Sequence, residues 1–341
     1  MLRMTRVGIL HDAREASRRM WGWTLPIWES VRPSPTGLAF TNREGIREFD
    51  FALPGKVLDR GVSAMVRVLN EERRIWDCLA SILDVFDEIL VVDNGSTDST
   101  VAMIHRFKER RDSRGVIKLA SYPVEMARVG RENGQTPEDS IHSLAYWYNW
   151  CLSRCRYAYV CKWDADMLLL EAGRGAFRKL LQSLSPRRPG IWSLRAQSVY
   201  SDGEGRWFLA RDEVYGEPRI FPNRADVRYH RGLQSERLVG PRFIPRLHWR
   251  QTWIYEIKDA SQDEFSHWSP SDRMAFPWKR KRQEWRYIES LRRGEISTEE
   301  LSELDPSFLP SQDSGDDALV PSFANDEPDP PPRRPFPAEY R

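Results

Sequence analysis

From Val62 onward the chain alternates short apolar runs with amphipathic stretches. "VSAMVRVL" predicts a buried strand, "EERRIWDCLASILDVF" a helix with Ile75, Leu79, Ile82 and Leu83 on one face, and "EILVVD" a second strand, together a βαβ unit. "DSTVAMIHRFKERR" predicts the next helix, opened by a Ser/Thr/Asp cap for which Ser96, Thr97 and Asp98 are placed, and "GVIKLASYP" a third strand. After a polar loop from about 124 to 138, "SIHSLAYWYNWCLSRC" reads as a helix and "YAYVCKWDADMLLL" as a strand running into an acidic cluster. Strands alternating with helices predict an α/β layered sheet.

The second half follows a different pattern. "GIWSLRAQSVY", "RWFLA" and "EPRIFPN" predict shorter strands joined by turns, hence a more irregular, partly antiparallel region suited to substrate loops. Residues 1–60 have no strong period and read as an N-terminal extension, and 266–304 include a basic, aromatic-containing helix. The acidic, proline-rich stretch 305–341 is expected to bury too little apolar surface to order itself. The expected division is therefore 1–60, 61–170, 171–265, 266–304 and 305–341.

Composition narrows this only a little. The 341 residues are 40% hydrophobic, enough for a large core, and 52 basic against 50 acidic residues leave a net charge of +2, which gives no field for nucleic acid. Cys78, Cys151, Cys155 and Cys161 lack metal-finger spacing and read as reduced thiols, with Cys151 and Cys155 inert in the core. No apolar run approaches the roughly 20 residues that span a bilayer, and the N-terminus lacks a continuous signal-peptide core. A cytoplasmic protein is expected. Residues 278–293, with Lys279-Arg280-Lys281-Arg282 between Trp278 and Trp285, fit either peripheral contact with an anionic membrane or a solvated basic helix.

Ligands of an open α/β sheet bind beyond the carboxyl ends of its strands. Three such ends carry polar clusters: Asn70-Glu71-Glu72, Asp93 to Thr100, and Asp164-Ala165-Asp166. One strand ending in Asp-Asn-Gly is ordinarily a turn and a helix cap. Three clusters at one sheet edge describe a site. In "KWDADM", two aspartates two residues apart can offer both carboxylates to one hard cation, with positions left for phosphate oxygens.

Taken in order, "VRVLNEERRIWDCLASIL", "DEILVVDNGSTDST" and "YNWCLSRCRYAYVCKWDADM" resemble the nucleotide-sugar-binding half of the family 2 glycosyltransferases over about residues 62–170. The resemblance implies a GT-A fold, a Rossmann-like and mostly parallel central sheet flanked by helices. It implies that Leu69, Asn70, Glu71, Asp93, Gly95 and Ser96 line the nucleotide pocket, with Asp93 on the base. Lys162, Asp164 and Arg219 would complete the donor site, and Asp164 and Asp166 would hold Mn2+ or Mg2+, joined by His248 as a third ligand. A lone His beside Leu247 and Trp249 is, however, more often a packed or hydrogen-bonded structural residue. Val68-Leu69 stands where many members carry a proline before the Asn-Glu pair.

"GEPRIFPNRADVRYHRGLQSERL" is similar to a segment of one branch of the family, Glu-Pro-Arg-x-Phe-x-Asn followed by an aromatic and a His-Glu pair, but Ser235 replaces that His. An inverting transferase needs a carboxylate to take the acceptor proton; Glu236 is the first candidate, then Asp212 and Glu213, each of which also reads as a surface acid. The expected activity is metal-dependent transfer of a sugar from a nucleotide-sugar donor to a glycan, lipid-linked or protein acceptor in glycoconjugate synthesis. Two alternatives stand beside it. A degenerate binding or scaffold protein fits the altered His-Glu segment, and a sugar nucleotidyltransferase would require a Gly-rich basic phosphate segment near the N-terminus that is not found.

Overall fold

The computed structural model describes residues 37–55, 58–259, 279–296, 299–310 and 332–340. Residues 1–36, 56–57, 260–278, 297–298, 311–331 and 341, and with them Trp278 and parts of four expected segments, lie outside the described residues.

Four parallel strands form the first half of the sheet: β3 (Val62–Val68), β4 (Glu88–Asp93), β5 (Ile117–Ser121) and β6 (Tyr159–Asp164), in the order β5-β4-β3-β6. Their near-continuous apolar sequences suit strands covered on both faces. Along β3, Ala64, Val66 and Val68 enter one core while Met65 enters the other, and along β6 Cys161 and Trp163 alternate with Val160 in the same way. The first core is covered by α1 (Ile75–Ile82), α2 (Thr100–Arg111) and α5 (Glu171–Ser183). Helix α1 places Ile75, Cys78, Leu79 and Ile82 inward at helical spacing, though it is shorter than the sequence pattern suggests because residues 71–74 form a turn.

Helix α4 (Leu144–Arg154) covers the second face, and α3 (Arg131–Gln135) interrupts the expected loop. Every residue of α4 from Leu144 to Leu152 is buried, because the hairpin β1 (Leu38–Phe40) and β2 (Phe51–Leu53) packs over its outer side. A stretch without sequence periodicity thus still supplies Phe49, Phe51 and Leu53 to the core.

Beyond β6 the order continues β9 (Trp207–Pro222), β8 (Ile191–Ser201), β13 (Ile254–Asp259) and β7 (Met167–Leu169). Strand β9 runs antiparallel to β6 and β8, so the sheet becomes mixed here; β12 (Arg246–Trp249) adds to β8 and β14 (Leu301–Leu304) to β9. Two expected short strands are one 16-residue strand, since the polar stretch between them pairs with β8 through a register shift. The reverse happens at "YAYVCKWDADMLLL", where a turn at Ala165–Asp166 separates β6 from β7. A small hairpin, β10 (Arg228–Arg231) and β11 (Glu236–Val239), stands beside α4.

The basic helix α6 (Lys279–Arg292) buries Tyr287, Ile288 and Leu291 against Tyr200, Phe208 and Ala210. Its charges are used inward as well as toward solvent. Glu284 is fully buried, 3.0 Å from Lys281 Nζ and 3.7 Å from Lys258 Nζ. All four cysteines are buried and unpaired, and burial pushes their thiols above the ordinary range. In "EAGRGAF", Gly173 is where helix α5 meets Trp253: a Cβ there would lie 2.2 Å from the Trp253 Cβ. No helix among the described residues is long and apolar enough to cross a membrane.

Candidate active site

The parallel strands carry their polar clusters to one edge, where the loops after β3 and β4 are laced together. Asn70 has φ +56°, a left-handed conformation that asparagine tolerates, and its Oδ1 accepts from Thr97 N–H at 2.8 Å. Asn70 N–H donates to Ser96 Oγ at 3.0 Å, and Glu71 N–H to Thr100 Oγ1 at 2.7 Å. Ser96 and Thr97 therefore join the two loops; the N-cap residue Ser99 makes no side-chain cap bond, and Asp98 Oδ1 accepts from Thr100 N–H, the first of the helix, at 3.0 Å. Asp93 is buried and accepts from Gly95 N–H and Ser96 N–H, both at 3.1 Å. Leu69 is exposed on the rim beside Asn70.

Glu71 is paired with Arg74 at 3.0 Å, yet burial pushes its carboxyl up to about 7, against the pull of that guanidinium. Asn94 ties the next loop in place, its amide donating to the Tyr122 and Val124 carbonyls at 2.8 Å each.

Beside these loops, three adjacent strands present charged side chains on one face. Arg67 on β3 lies opposite Asp164 on β6, and Arg219 reaches the same carboxylate from β9. Arg67 Nε is 2.7 Å from Asp164 Oδ1 and the fully buried Arg219 guanidinium is 2.8 Å from Oδ2. Burial raises the Asp164 carboxyl, but Arg67, Arg219 and Lys162 outweigh it and hold the group well below the usual carboxylate range. Arg67 also lies over the rings of Trp147 and Tyr148, which fixes the guanidinium from the α4 side.

The hairpin β10–β11 brings Glu236 to this cluster, 3.3 Å from Lys162 Nζ, which itself sits over the Tyr148 ring. Burial lowers the Lys162 ammonium pKa; Glu236 and Asp164 reverse that and raise it. Glu236, Lys162, Asp164 and Arg219 are thus one assembly.

Asp166 belongs to a second assembly. Its Oδ2 is 3.0 Å from Lys258 Nζ, Lys258 is 3.1 Å from Glu256, and Glu256 also pairs with Arg280 of α6. Burial raises the Asp166 carboxyl, Lys258 opposes this, and Glu256 and Asp164 add to it. Glu256, with two cations against it, is drawn down to about 2 although burial acts the other way.

Of the two aspartates, only Asp166 leaves an oxygen open to a cation. Asp166 Oδ1 is buried and has no hydrogen-bond partner, so it is a free oxygen for a hard ion, whereas both Asp164 oxygens are engaged by guanidinium groups. Among the described residues no three His, Cys, Asp or Glu side chains converge as a metal-holding group. His248 does not join the aspartates: it is exposed on β12, paired with Ser193 of β8. Asp212 and Glu213 are also elsewhere. Asp212 is exposed, Glu213 accepts from Tyr200 O–H at 2.6 Å on the side of α6, and Glu213 lies six positions along β9 from Arg219, about 20 Å at the ordinary rise of a strand.

Sequence reasoning missed Arg67, Lys258 and Glu256. Their signal was a charged residue inside an otherwise apolar strand, which is costly unless paired.

Residues 63–121 match the family model described as glycosyl transferase family 2. No curated protein matches the chain. Among solved structures, S. aureus TarS 1-349 is similar at 14% identity, over 57% of this chain and 60% of that one, with a TM-score of 0.36. Glucosyl-3-phosphoglycerate synthase from Mycobacterium tuberculosis, solved with Mn2+, UDP-glucose and phosphoglyceric acid, is similar at 21% identity over 43% of this chain and 45% of that one, with a TM-score of 0.25. The chain thus spans less than two thirds of these proteins.

Proposed function

We propose that this chain, which carries a glycosyl transferase family 2 segment over residues 63–121, is a glycosyltransferase that moves a sugar from a nucleoside-diphosphate sugar to an acceptor hydroxyl, with inversion at the anomeric carbon. The observation that carries the reading is the convergence of Arg67, Lys162, Asp164, Arg219 and Glu236 at the sheet edge beside the Asp93 loop. A cationic, largely buried corner next to a loop rich in N–H donors suits a diphosphate attached to a base.

In this reading Asp93 faces the base and Asn70 shapes the nucleotide pocket. Asp164, held by two guanidinium groups, faces the ribose and diphosphate. Asp166 would hold Mn2+ or Mg2+ through its free Oδ1; the bound cation would neutralise charge on the nucleoside diphosphate as it leaves. Glu236 takes the proton from the acceptor hydroxyl as its oxygen attacks the anomeric carbon, and Lys162, 3.3 Å away, holds that carboxylate in position. The acceptor is a glycan, a lipid-linked sugar or a protein.

A second reading is favoured by the ion pairs themselves. Asp164 and Asp166 already have cationic partners, as they would in a protein that binds a nucleotide or a glycan without turning it over. Nucleoside diphosphate release separates the two. A panel of nucleotide-sugars incubated with Mn2+ or Mg2+ and glycan acceptors should give metal-dependent release with at least one donor, abolished by Asp166→Ala. Absence of release from every donor, with nucleotide binding retained, would establish the binding protein instead.

A further inference from the structure

The end of the chain returns to the nucleotide edge. Residues 332–340 lie along the loop after β5: Arg334 N–H donates to the Pro123 carbonyl at 2.8 Å, and Glu125 N–H to the Arg334 carbonyl at 2.9 Å, a single parallel bridge. Phe336 anchors the segment. Its ring is buried and meets His142 edge-on at 5.7 Å, and its N–H donates to Glu125 Oε2 at 2.8 Å. Farther on, the Tyr340 hydroxyl accepts from Arg43 at 3.2 Å. A proline-rich stretch expected to stay unpacked is therefore docked, because one aromatic side chain and a few backbone bonds suffice for a segment already restricted by its prolines.

The docking delivers Arg333 to the loop after β4. Its aliphatic stem covers Gly95, which has φ +84°: a Cβ at Gly95 would come 2.8 Å from Arg333 Cγ and 3.0 Å from Cδ. The guanidinium is within electrostatic range of Asp93 and Glu125, whose carboxylates oppose the lowering of its pKa by burial. Its Nε is buried and has no hydrogen-bond partner. A buried donor left without an acceptor is costly, and here it stands beside the residue assigned to the base. Nucleobases offer carbonyl and ring-nitrogen acceptors on their edges, for which a planar guanidinium is well suited.

We infer that Arg333 is a nucleotide-recognition residue contributed by the C-terminal segment, donating through its guanidinium to an acceptor on the donor's base. The inference rests on the glycosyltransferase reading and adds to it a contact from outside the family 2 segment. Gly95 is then required for two reasons, its backbone conformation and the space that the Arg333 stem occupies.

The test is calorimetric titration of the 341-residue chain with UDP, GDP, ADP and CDP and with the matching monophosphates. For the base that binds best, Arg333→Ala should weaken the diphosphate about tenfold or more, and the monophosphate by the same factor, with no change in melting temperature. Deleting residues 332–341 should produce the same loss. Unchanged affinity overturns the inference, as does a loss confined to the diphosphate, which would mean a general charge effect. Tighter binding after either change would overturn it in favour of an obstructing segment. If the unaltered chain binds none of the four nucleotides, the glycosyltransferase reading fails and the inference with it. If one binds and Asp93→Ala weakens it while Arg333→Ala does not, the inference alone fails.

Discussion

The two halves of the sheet hold their polar residues by different means. In the parallel half, Asp93, Asn70 and Asp98 are satisfied by backbone N–H groups, some two or three residues away and some on the neighbouring loop. Where the last parallel strand meets the mixed half, Asp164, Asp166 and Glu256 are instead paired with side-chain cations, most of them brought from other strands and from α6. The first arrangement gives a pocket whose shape is built into turns. The second gives a charge network in which Asp164 and Asp166 depend on partners more than fifty positions away along the chain, and in which removing one partner leaves a buried charge.

The largest effect should follow from breaking that network at its centre. Asp164→Ala leaves the buried Arg219 without its closest carboxylate, and should cost about 3–5 kcal/mol of unfolding free energy in urea as well as abolishing nucleotide binding. If the variant is as stable as the unaltered chain, the network does not hold the two halves together. On the parallel side, Asp93→Ala strands two backbone N–H groups only, and a loss of about 1–3 kcal/mol is expected by the same measurement.

Chemistry should separate from stability at Glu236. Glu236→Gln keeps the volume and a hydrogen-bonding group near Lys162, so nucleotide affinity should persist while turnover falls by about 10²–10⁴. Equal turnover would remove Glu236 as the base and leave it as a partner of Lys162.

Glu71 offers a pH test of the junction between the loops. Its carboxyl is raised to about 7 by burial, above an unfolded value near 4.3. The folded state therefore binds its proton more tightly: the associated stability is fully present below about pH 4 and is lost as pH rises through 7. Glu71→Gln should flatten that loss, gaining up to roughly 3 kcal/mol relative to the unaltered chain at pH 8 compared with pH 4. Parallel stability curves for the two proteins would show that Glu71 is solvated. The smallest change is expected at Asp98→Ala, which removes the acceptor of the first N–H of α2 and should cost about 1 kcal/mol in thermal unfolding.

These contrasts also mark what could be read from the residues alone. The βαβ alternation over residues 62–121 was legible because strands buried on both faces must be apolar throughout and helices between them must be apolar on one face. The clusters at Asn70, Asp93 and Asp164 were legible for a related reason: a parallel strand ends where its loop turns toward the ligand edge. The hairpin β1–β2 was not, since three-residue strands carry too few positions to show a period. The length of β9 was obscured by Arg211-Asp212-Glu213, which reads as a turn until the neighbouring strand β8 is in place. His248, a plausible ligand by residue type, is kept from the aspartates by the pairing of β12 with β8.

By itself the sequence determined the parallel half of the sheet and the positions of its loop carboxylates, because periodicity and turn chemistry act between residues close along the chain. Only the tertiary structure decided the partners of those carboxylates. Arg67 and Arg219 clasp Asp164, Lys258 takes Asp166, Lys162 meets Glu236, and Arg333 reaches the Asp93 loop from the far end of the chain. Ion pairing depends on distance in space, and strand order, which sets that distance, follows from how the apolar faces pack rather than from where the charges stand in the sequence.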